Sequence, residues 1–148
     1  MSLEQRLTDD MTAAMRARDK DTLGVIRRAI AAMRNARIEK RADLDEQDQI
    51  KVVRSLAKQH RESIEQFRAA GREDLASKEE AELVILSAYL PPEMDDALLD
   101  GIITEVIATT GASSVKDMGT VIKAVMARTG GQVEGGAVSA KVKERLAG

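Results

Sequence analysis

The sequence predicts an all-α protein, with an N-terminal helical bundle or hairpin subdomain followed by a small C-terminal three-helix subdomain. Aromatic residues make up 1% of the 148 residues, whereas hydrophobic residues make up 43%. The core must therefore consist of aliphatic and methionine side chains, many of which favour helices. Only two prolines interrupt the chain, at positions 91 and 92. Between Lys51 and Leu90, apolar residues recur at helical spacing.

Capping patterns and apolar faces predict the first two helices. Ser2 with Gln5 forms a capping-box pattern, which predicts a helix over about residues 3–17. Asp19 or Asp21 then caps a second helix. Its apolar positions are Leu23, Ile26, Ile30, Met33 and Ile38.

The third and fourth helices occupy the central segment. Asp45 with Asp48 predicts the start of the third helix, and Gly71 predicts its end. The fourth helix covers about residues 73–88 and stops before Pro91, because the residue preceding a proline avoids the α region. We place the domain boundary here, with a four-helix subdomain over 1–92 and a three-helix subdomain over 93–148. The apolar seam of the third helix comprises Ile50, Val53, Ala57, His60, Ile64 and Phe67.

Three shorter helices are predicted in the second half of the chain. The first covers residues 95–109. Ser114 with Asp117 caps the next, whose apolar face includes Met118 and Val121. A glycine-rich loop over 130–136 leads to the last helix. This loop lacks the known phosphate-binding patterns, so we interpret it as a helix cap followed by a turn.

Composition and charge exclude several classes of protein. The absence of cysteine excludes disulfides, thiol catalysis and thiolate metal sites. A net charge of −2, from 23 basic and 25 acidic residues, argues against nucleic-acid binding by bulk charge. The amino terminus lacks the apolar region of a signal peptide, and no apolar run approaches the roughly 20 residues of a membrane span. We therefore expect a cytoplasmic location.

His60, the only histidine, is the first candidate for a catalytic base. It lies on the apolar seam between Ala57 and Ile64, so we interpret it as a packing residue. Because no second histidine and no cysteine is available, we expect neither a metal site nor a cofactor. Glu79, Glu80 and Glu82 lie near a predicted helix start or could pair with arginines of the second and third helices. We predict no catalytic residues.

Basic residues on the second and third helices give the strongest chemical signal. Arg27, Arg34 and Arg41 are spaced seven apart and so lie near one line of the second helix. Such lines can bind phosphates without reading bases. The alternative is a solvated face with salt bridges to neighbouring acids. The predicted nucleic-acid-binding residues on these helices are Arg27, Arg34, Arg37, Arg41, Lys51, Arg54, Lys58 and Arg61.

An ordered set of short motifs extends over nearly the whole chain. The motifs are Lys58-Gln59, Arg61-Glu62-Ser63-Ile64, Phe67, the run from Ala70 to Leu75, Glu79, Glu82, Tyr89-Leu90-Pro91, Gly111-Ala112, Ser114, Asp117-Met118-Gly119, the paired-glycine loop, Val142-Lys143 and Leu146. This set resembles the GatB/YqeY family. Stand-alone members of that family are similar to the helical tail of the B subunit of the glutamine-dependent tRNA amidotransferase.

The resemblance implies a tRNA-associated accessory protein, linked to carbon–nitrogen ligation with glutamine as amido-N-donor. Because the chain resembles only the tail, we expect it to have no catalytic domain of its own and not to catalyse amidation alone. In the second half, Thr120 and Gln132 stand where the family often has a basic residue. Lys116 and Lys123 complete the predicted nucleic-acid-binding residues there.

The expected partners are tRNA and amidotransferase or aminoacyl-tRNA synthetase subunits, with no membrane contact. An alternative hypothesis is a protein-interaction module that docks on those subunits without contacting RNA. Its contact surfaces would be the apolar end of the fourth helix, from Val84 to Leu86, and the methionine-bearing helix over 118–126.

Overall fold

The computed structural model describes residues 1–92, 94–130 and 132–147. Within these ranges the chain forms seven α-helices and one short 3-10 turn, with no strand, which confirms the all-α fold class. The helices fall into two compact units, Met1–Leu90 and Pro91–Gly148. The division into a four-helix subdomain over 1–92 and a three-helix subdomain over 93–148 stays a prediction.

Four helices form the first unit. They are α1 (Leu3–Ala17), α2 (Lys20–Lys40), α3 (Glu46–Ala69) and α4 (Glu73–Ser87). Ser2 with Gln5 and Asp45 with Asp48 make reciprocal capping boxes at the starts of α1 and α3. Gly71 adopts a φ of 73° after α3, a left-handed conformation that glycine adopts without steric cost. The sequence signals at these helix ends are thus confirmed.

The core of the first unit joins all four helices. Leu7 of α1, Ile26 and Met33 of α2, Val53 of α3 and Leu86 of α4 are almost completely buried. Ile38 does not join them, although its spacing predicts the same face of α2: it is 68% exposed. It lies five residues after Met33, a rotation of roughly 140° around the helix, and so points away from the core.

Three helices and the 3-10 turn form the second unit. They are α5 (Asp96–Thr110), the turn (Val115–Asp117), α6 (Met118–Thr129) and α7 (Gly135–Ala147). No single described helix is long and apolar enough to cross a membrane. Helix α5 and the Val115–Thr129 segment have sufficient length and apolar composition only as a pair, and the two are bent by 100°. The apolar core consists of Leu99, Ile103, Val106, Val121, Val125, Val133, Val138 and Val142.

The glycine-rich loop is shorter than its sequence predicts. Gly135 and Gly136 belong to the first turn of α7, and the Val138 amide donates to the Glu134 carbonyl. Glycine destabilises a helix chiefly in its interior, and both of these glycines stand in the first turn. Gly131, part of the predicted loop, lies outside the described residues.

Candidate functional site

Three arginines predicted to bind nucleic acid form a row along α2. Arg27, Arg34 and Arg41 are exposed, and none makes an ion pair with another residue that the structure describes. Seven helical residues separate neighbours in this α2 arginine row by about 10 Å along the axis. Arg41 caps the helix in a left-handed conformation, with a φ of 59°. The row therefore presents three cations along α2 and its C-cap, none of which has an acidic partner among the described residues.

Arg37 has a different environment from the arginine row. Its guanidinium forms an ion pair with Glu4 of α1, and both side chains are partly buried. The charge of Arg37 is thus balanced within the packing of α1 against α2. This contact matches the alternative interpretation, in which basic residues pair with neighbouring acids.

The predicted basic residues of α3 differ from one another in exposure and in pairing. Lys51, Lys58 and Arg61 are exposed, and no ion pair involves them within the described ranges. Arg54 is half-buried and interacts with a neighbour. The three exposed side chains are the available cations of this helix.

A groove of about 670 Å³ lies between α2 and α3. Ala32, Asn35 and Ala36 of α2 line it, opposite residues of α3. Arg34 lies two residues from both Ala32 and Ala36, a rotation of roughly 160°, so the α2 arginine row faces away from the groove. Of the ten residues predicted to bind nucleic acid, only Lys51 lines the groove in the described structure. The structure does not bring the basic residues of α2 and α3 onto one surface.

In the second unit, Lys116 lies in the 3-10 turn and Lys123 on α6. Both are exposed and make no ion pair with the residues described there. Two other cations of this unit are paired: Lys141 contacts Asp100 at 3.0 Å, and Arg128 contacts Glu105 at 2.7 Å. Lys116 and Lys123 are thus available to an external anion.

A second candidate site is a cavity of about 200 Å³ among α2, α3 and α4. His60 Nδ1 lies 2.6 Å from Glu79 Oε2 and 3.8 Å from Glu82 Oε2. Arg28 Nη2 donates to the same Glu82 oxygen over 2.9 Å. We call these four residues the His60 cluster. Glu82 lies between the imidazole and the guanidinium, and Glu79 contacts the imidazole.

The His60 cluster corrects the interpretation of His60 as a packing residue. The ring is 14% exposed, and its nitrogen contacts carboxylates rather than aliphatic side chains. Glu82 is buried, and a buried carboxylate must be compensated by a partner such as Arg28. Glu79 and Glu82 lie three apart and so share a face of α4. That spacing is visible in the sequence, but its alignment with His60 depends on how α3 packs against α4.

The surfaces proposed for protein docking are only partly exposed. Val84 is 72% exposed, but Leu86 is 1% exposed and belongs to the core of the first unit. Met118 and Met126 are half-buried and pack against the core of the second unit. The apolar end of α4 is therefore not a continuous exposed surface. The interaction-module hypothesis stays a prediction.

Comparison with known proteins identifies a matching family model and several similar proteins. A family model described as "Yqey-like protein" matches residues 4–146. The chain is 30% identical over 144 residues to "Altered inheritance of mitochondria protein 41, mitochondrial" of Pyrenophora tritici-repentis, a match that covers 94% of this chain and 78% of that protein.

Two further relatives carry the same name. The one from Eremothecium gossypii is 35% identical over 85 residues, which cover 57% of this chain and 46% of that protein. The one from Vanderwaltozyma polyspora is 29% identical over 119 residues, which cover 76% of this chain and 64% of that protein. In both, the chain spans less than two thirds of the relative's length.

These comparisons contradict the predicted cytoplasmic location, because the three relatives are named as mitochondrial proteins. The prediction rested on the lack of an apolar signal region and of a membrane span. Neither feature separates the two compartments, since mitochondrial transit segments are amphipathic and arginine-rich rather than apolar.

Proposed function

Because this chain belongs to the Yqey-like protein family, as its ordered motifs predict, we propose that it is a tRNA-binding accessory protein without catalytic activity of its own. The observation that carries this proposal is the α2 arginine row, in which three exposed guanidinium groups have no acidic partner among the described residues. A surface of this kind binds phosphate oxygens, which position an RNA without specifying its sequence.

The chemistry of arginine supports a phosphate ligand. Each guanidinium is planar, always charged and able to donate two parallel hydrogen bonds to one phosphate. The chain contains one tyrosine, one phenylalanine and no tryptophan. It therefore has few rings on which single-stranded bases could stack, and the proposal favours a folded RNA read through its backbone.

Lys116 and Lys123 of the second unit supply a further proposed contact. Both are exposed and without an ion pair in the part of the chain that the structure describes. Thr120 lies between them in sequence, where the resembled family often has lysine, so we expect this contact to be weaker than that of the α2 row. The exposed residues of α3, Lys51, Lys58 and Arg61, supply a separate proposed contact, because they do not share a surface with the α2 row.

The link to carbon–nitrogen ligation remains a proposal through partners. An accessory protein of this kind would present tRNA to an amidotransferase that uses glutamine as amido-N-donor, or to an aminoacyl-tRNA synthetase subunit. We expect the isolated chain to show no glutaminase and no tRNA amidation activity. Turnover by the purified chain in either assay would overturn this part of the proposal.

The test is the binding of fluorescently labelled tRNA, measured by anisotropy across a salt series. We expect log K to fall with log salt with a slope of about 0.7–0.9 for each phosphate contact. The double variant R27A/R34A should weaken binding and flatten this slope by about 1.5, the loss of two contacts.

The matched control is R72A/R128A, which removes the same charge from two arginines that are paired with Asp74 and Glu105. This variant should bind tRNA as the wild type does, because each of the two arginine charges that it removes is already balanced by an acidic partner. The proposal fails if the wild type shows no binding at low salt, or if both double variants lose affinity equally.

A further inference from the structure

We propose that His60, Glu79 and Glu82 bind one divalent transition-metal ion, of the kind represented by Zn²⁺ or Mn²⁺, beside the cavity of the first unit. The proposal is independent of RNA binding, since none of the three residues is among the basic residues proposed to contact RNA. It replaces the expectation, based on the lack of a second histidine and of cysteine, that the chain has no metal site.

The donor atoms already lie close together. One nitrogen of His60 and one carboxylate oxygen each from Glu79 and Glu82 all lie within 4.8 Å of one another. Ligands about 2.0–2.2 Å from a tetrahedral Zn²⁺ are separated by roughly 3.4 Å. The cluster therefore needs side-chain adjustments rather than movement of a helix: the closest pair must separate and the widest must approach.

The backbone explains why these donors converge. Arg68 contacts Glu73 near the connection between α3 and α4, while His60 contacts Glu79 and Glu82 further away. Residues earlier in α3 thus meet residues later in α4, so the two helices run antiparallel. Glu79 and Glu82 are one turn apart on α4, and both face His60. Two packed helices hold the three ligands.

Burial distinguishes this cluster from ordinary surface acids. The side chains of His60, Glu79 and Glu82 are 14%, 25% and 10% exposed. Side chains in such surroundings have few alternative conformations, so less entropy is lost when they bind an ion. Gln59 and Ser63 also line the adjoining cavity, which has room for a water as a further ligand.

The ligand set indicates the class of metal. Magnesium and calcium favour ligand shells made of oxygen. An imidazole combined with carboxylates suits zinc, manganese and related divalent ions. The cluster contains two carboxylates and one guanidinium, that of Arg28, which pairs with Glu82. A divalent ion would supply the positive charge that this arrangement lacks.

The competing explanation is an ion-pair cluster that joins α2, α3 and α4 without metal, with a protonated imidazole between the carboxylates. The two explanations differ in what the full-length chain does with metal alone. Purified chain, freed of any polyhistidine tag, should be titrated with ZnCl₂ and with MnCl₂ by calorimetry. A thermal melt with and without each salt should accompany the titrations.

We expect one ion per chain and a higher melting temperature with metal. Glu79→Gln and His60→Gln should each weaken binding at least about tenfold. Glu80→Gln is the control, because Glu80 is adjacent in sequence but pairs with Arg68 instead. It should bind metal as the wild type does. Circular dichroism identifies any variant that does not fold, in which case the other variant decides.

The site is disproved if the wild type takes up no metal at a 1:1 ratio. It is equally disproved if a folded Glu79→Gln or His60→Gln variant binds as tightly as the wild type, or if Glu80→Gln loses as much affinity as they do. Substitution by Co²⁺ gives an independent readout, since its visible absorption should change on binding to the wild type and not to Glu79→Gln.

Discussion

The hydroxyl of Tyr89 donates a 2.5 Å hydrogen bond to the carboxylate of Asp10, which joins the residues following α4 to α1. Tyr89 is buried, and the guanidinium of Arg6 lies 5.2 Å from the centre of its ring. Burial, together with the hydrogen bond to Asp10, raises the pKa of Tyr89 well above its usual range. The folded first unit therefore favours the neutral phenol.

Tyr89→Phe should lower the free energy of unfolding by about 1 kcal/mol, because it removes this hydrogen bond and leaves the ring packing in place. Asp10 is exposed, so water can replace the lost donor and limit the effect. Urea denaturation at pH 7 measures the change. Asp9→Asn changes a neighbouring exposed acid whose side chain makes no hydrogen bond to the described residues, and it should have almost no effect.

The same contact predicts a dependence of stability on alkaline pH. Tyr89 has a higher pKa in the folded chain than the ordinary value of 10.0, so the folded state holds its proton more tightly than the unfolded state does. The resulting stabilisation is fully present below pH 10 and declines as the pH rises above it. The stability difference between the wild type and Tyr89→Phe should therefore shrink from pH 8 to pH 11. A difference that stays constant would show that the phenol does not contribute through its proton.

Local signals in the sequence predict the helices well, whereas the partners of charged residues depend on packing. The capping boxes of Ser2 and Asp45 lie within four residues of sequence and are found where they were expected. The His60 cluster joins residues 19 and 22 positions apart, with Arg28 further away still. No periodicity along one helix reveals such contacts.

Packing also determines which basic residues form ion pairs and which remain available. From the sequence, Arg34 and Arg37 are both predicted to lie on the same basic helix. Arg37 faces α1 and pairs with Glu4, whereas Arg34 points away from the groove between α2 and α3. Which arginines remain available thus depends on the neighbours that each face of α2 acquires.

Arg28→Met should lower the free energy of unfolding by about 1–2 kcal/mol. The substitution removes the guanidinium that donates to Glu82, whose side chain is only 10% exposed. Arg27→Met is the matched control, because Arg27 is adjacent, exposed and without an ion pair among the described residues. We expect its effect to lie within about 0.5 kcal/mol of zero. Urea denaturation of both variants at pH 7 provides the comparison.

The two arginine variants also test the separation of the two proposed sites. Arg28→Met should retain metal binding, since Arg28 is not a ligand and its loss leaves the carboxylates more negative. Arg27→Met should reduce tRNA affinity and leave metal binding unchanged. If Arg28→Met unfolds no more easily than Arg27→Met, the Arg28–Glu82 ion pair contributes nothing measurable to stability.

Gly101 within α5 and Gly111 at its C-terminal end should respond in opposite directions to the same substitution. Gly101 lies within the helix, and a Cβ placed there meets no other atom within 4 Å. Gly101→Ala should therefore stabilise the second unit by about 0.5–1 kcal/mol. Gly111 follows the helix at a φ of 70°, also with open space around a Cβ. Gly111→Ala should destabilise by about 1 kcal/mol, because the left-handed conformation is strained for alanine.

Because both substitutions remove similar backbone freedom from the unfolded chain, the difference in sign isolates the native conformation as the cause. Hydrogen exchange of the buried Ile103 and Val106 amides reports on the second unit without requiring that the whole chain unfold in one step. Exchange should slow in Gly101→Ala and accelerate in Gly111→Ala. If both variants shift in the same direction, the positive φ of Gly111 is not what ends α5.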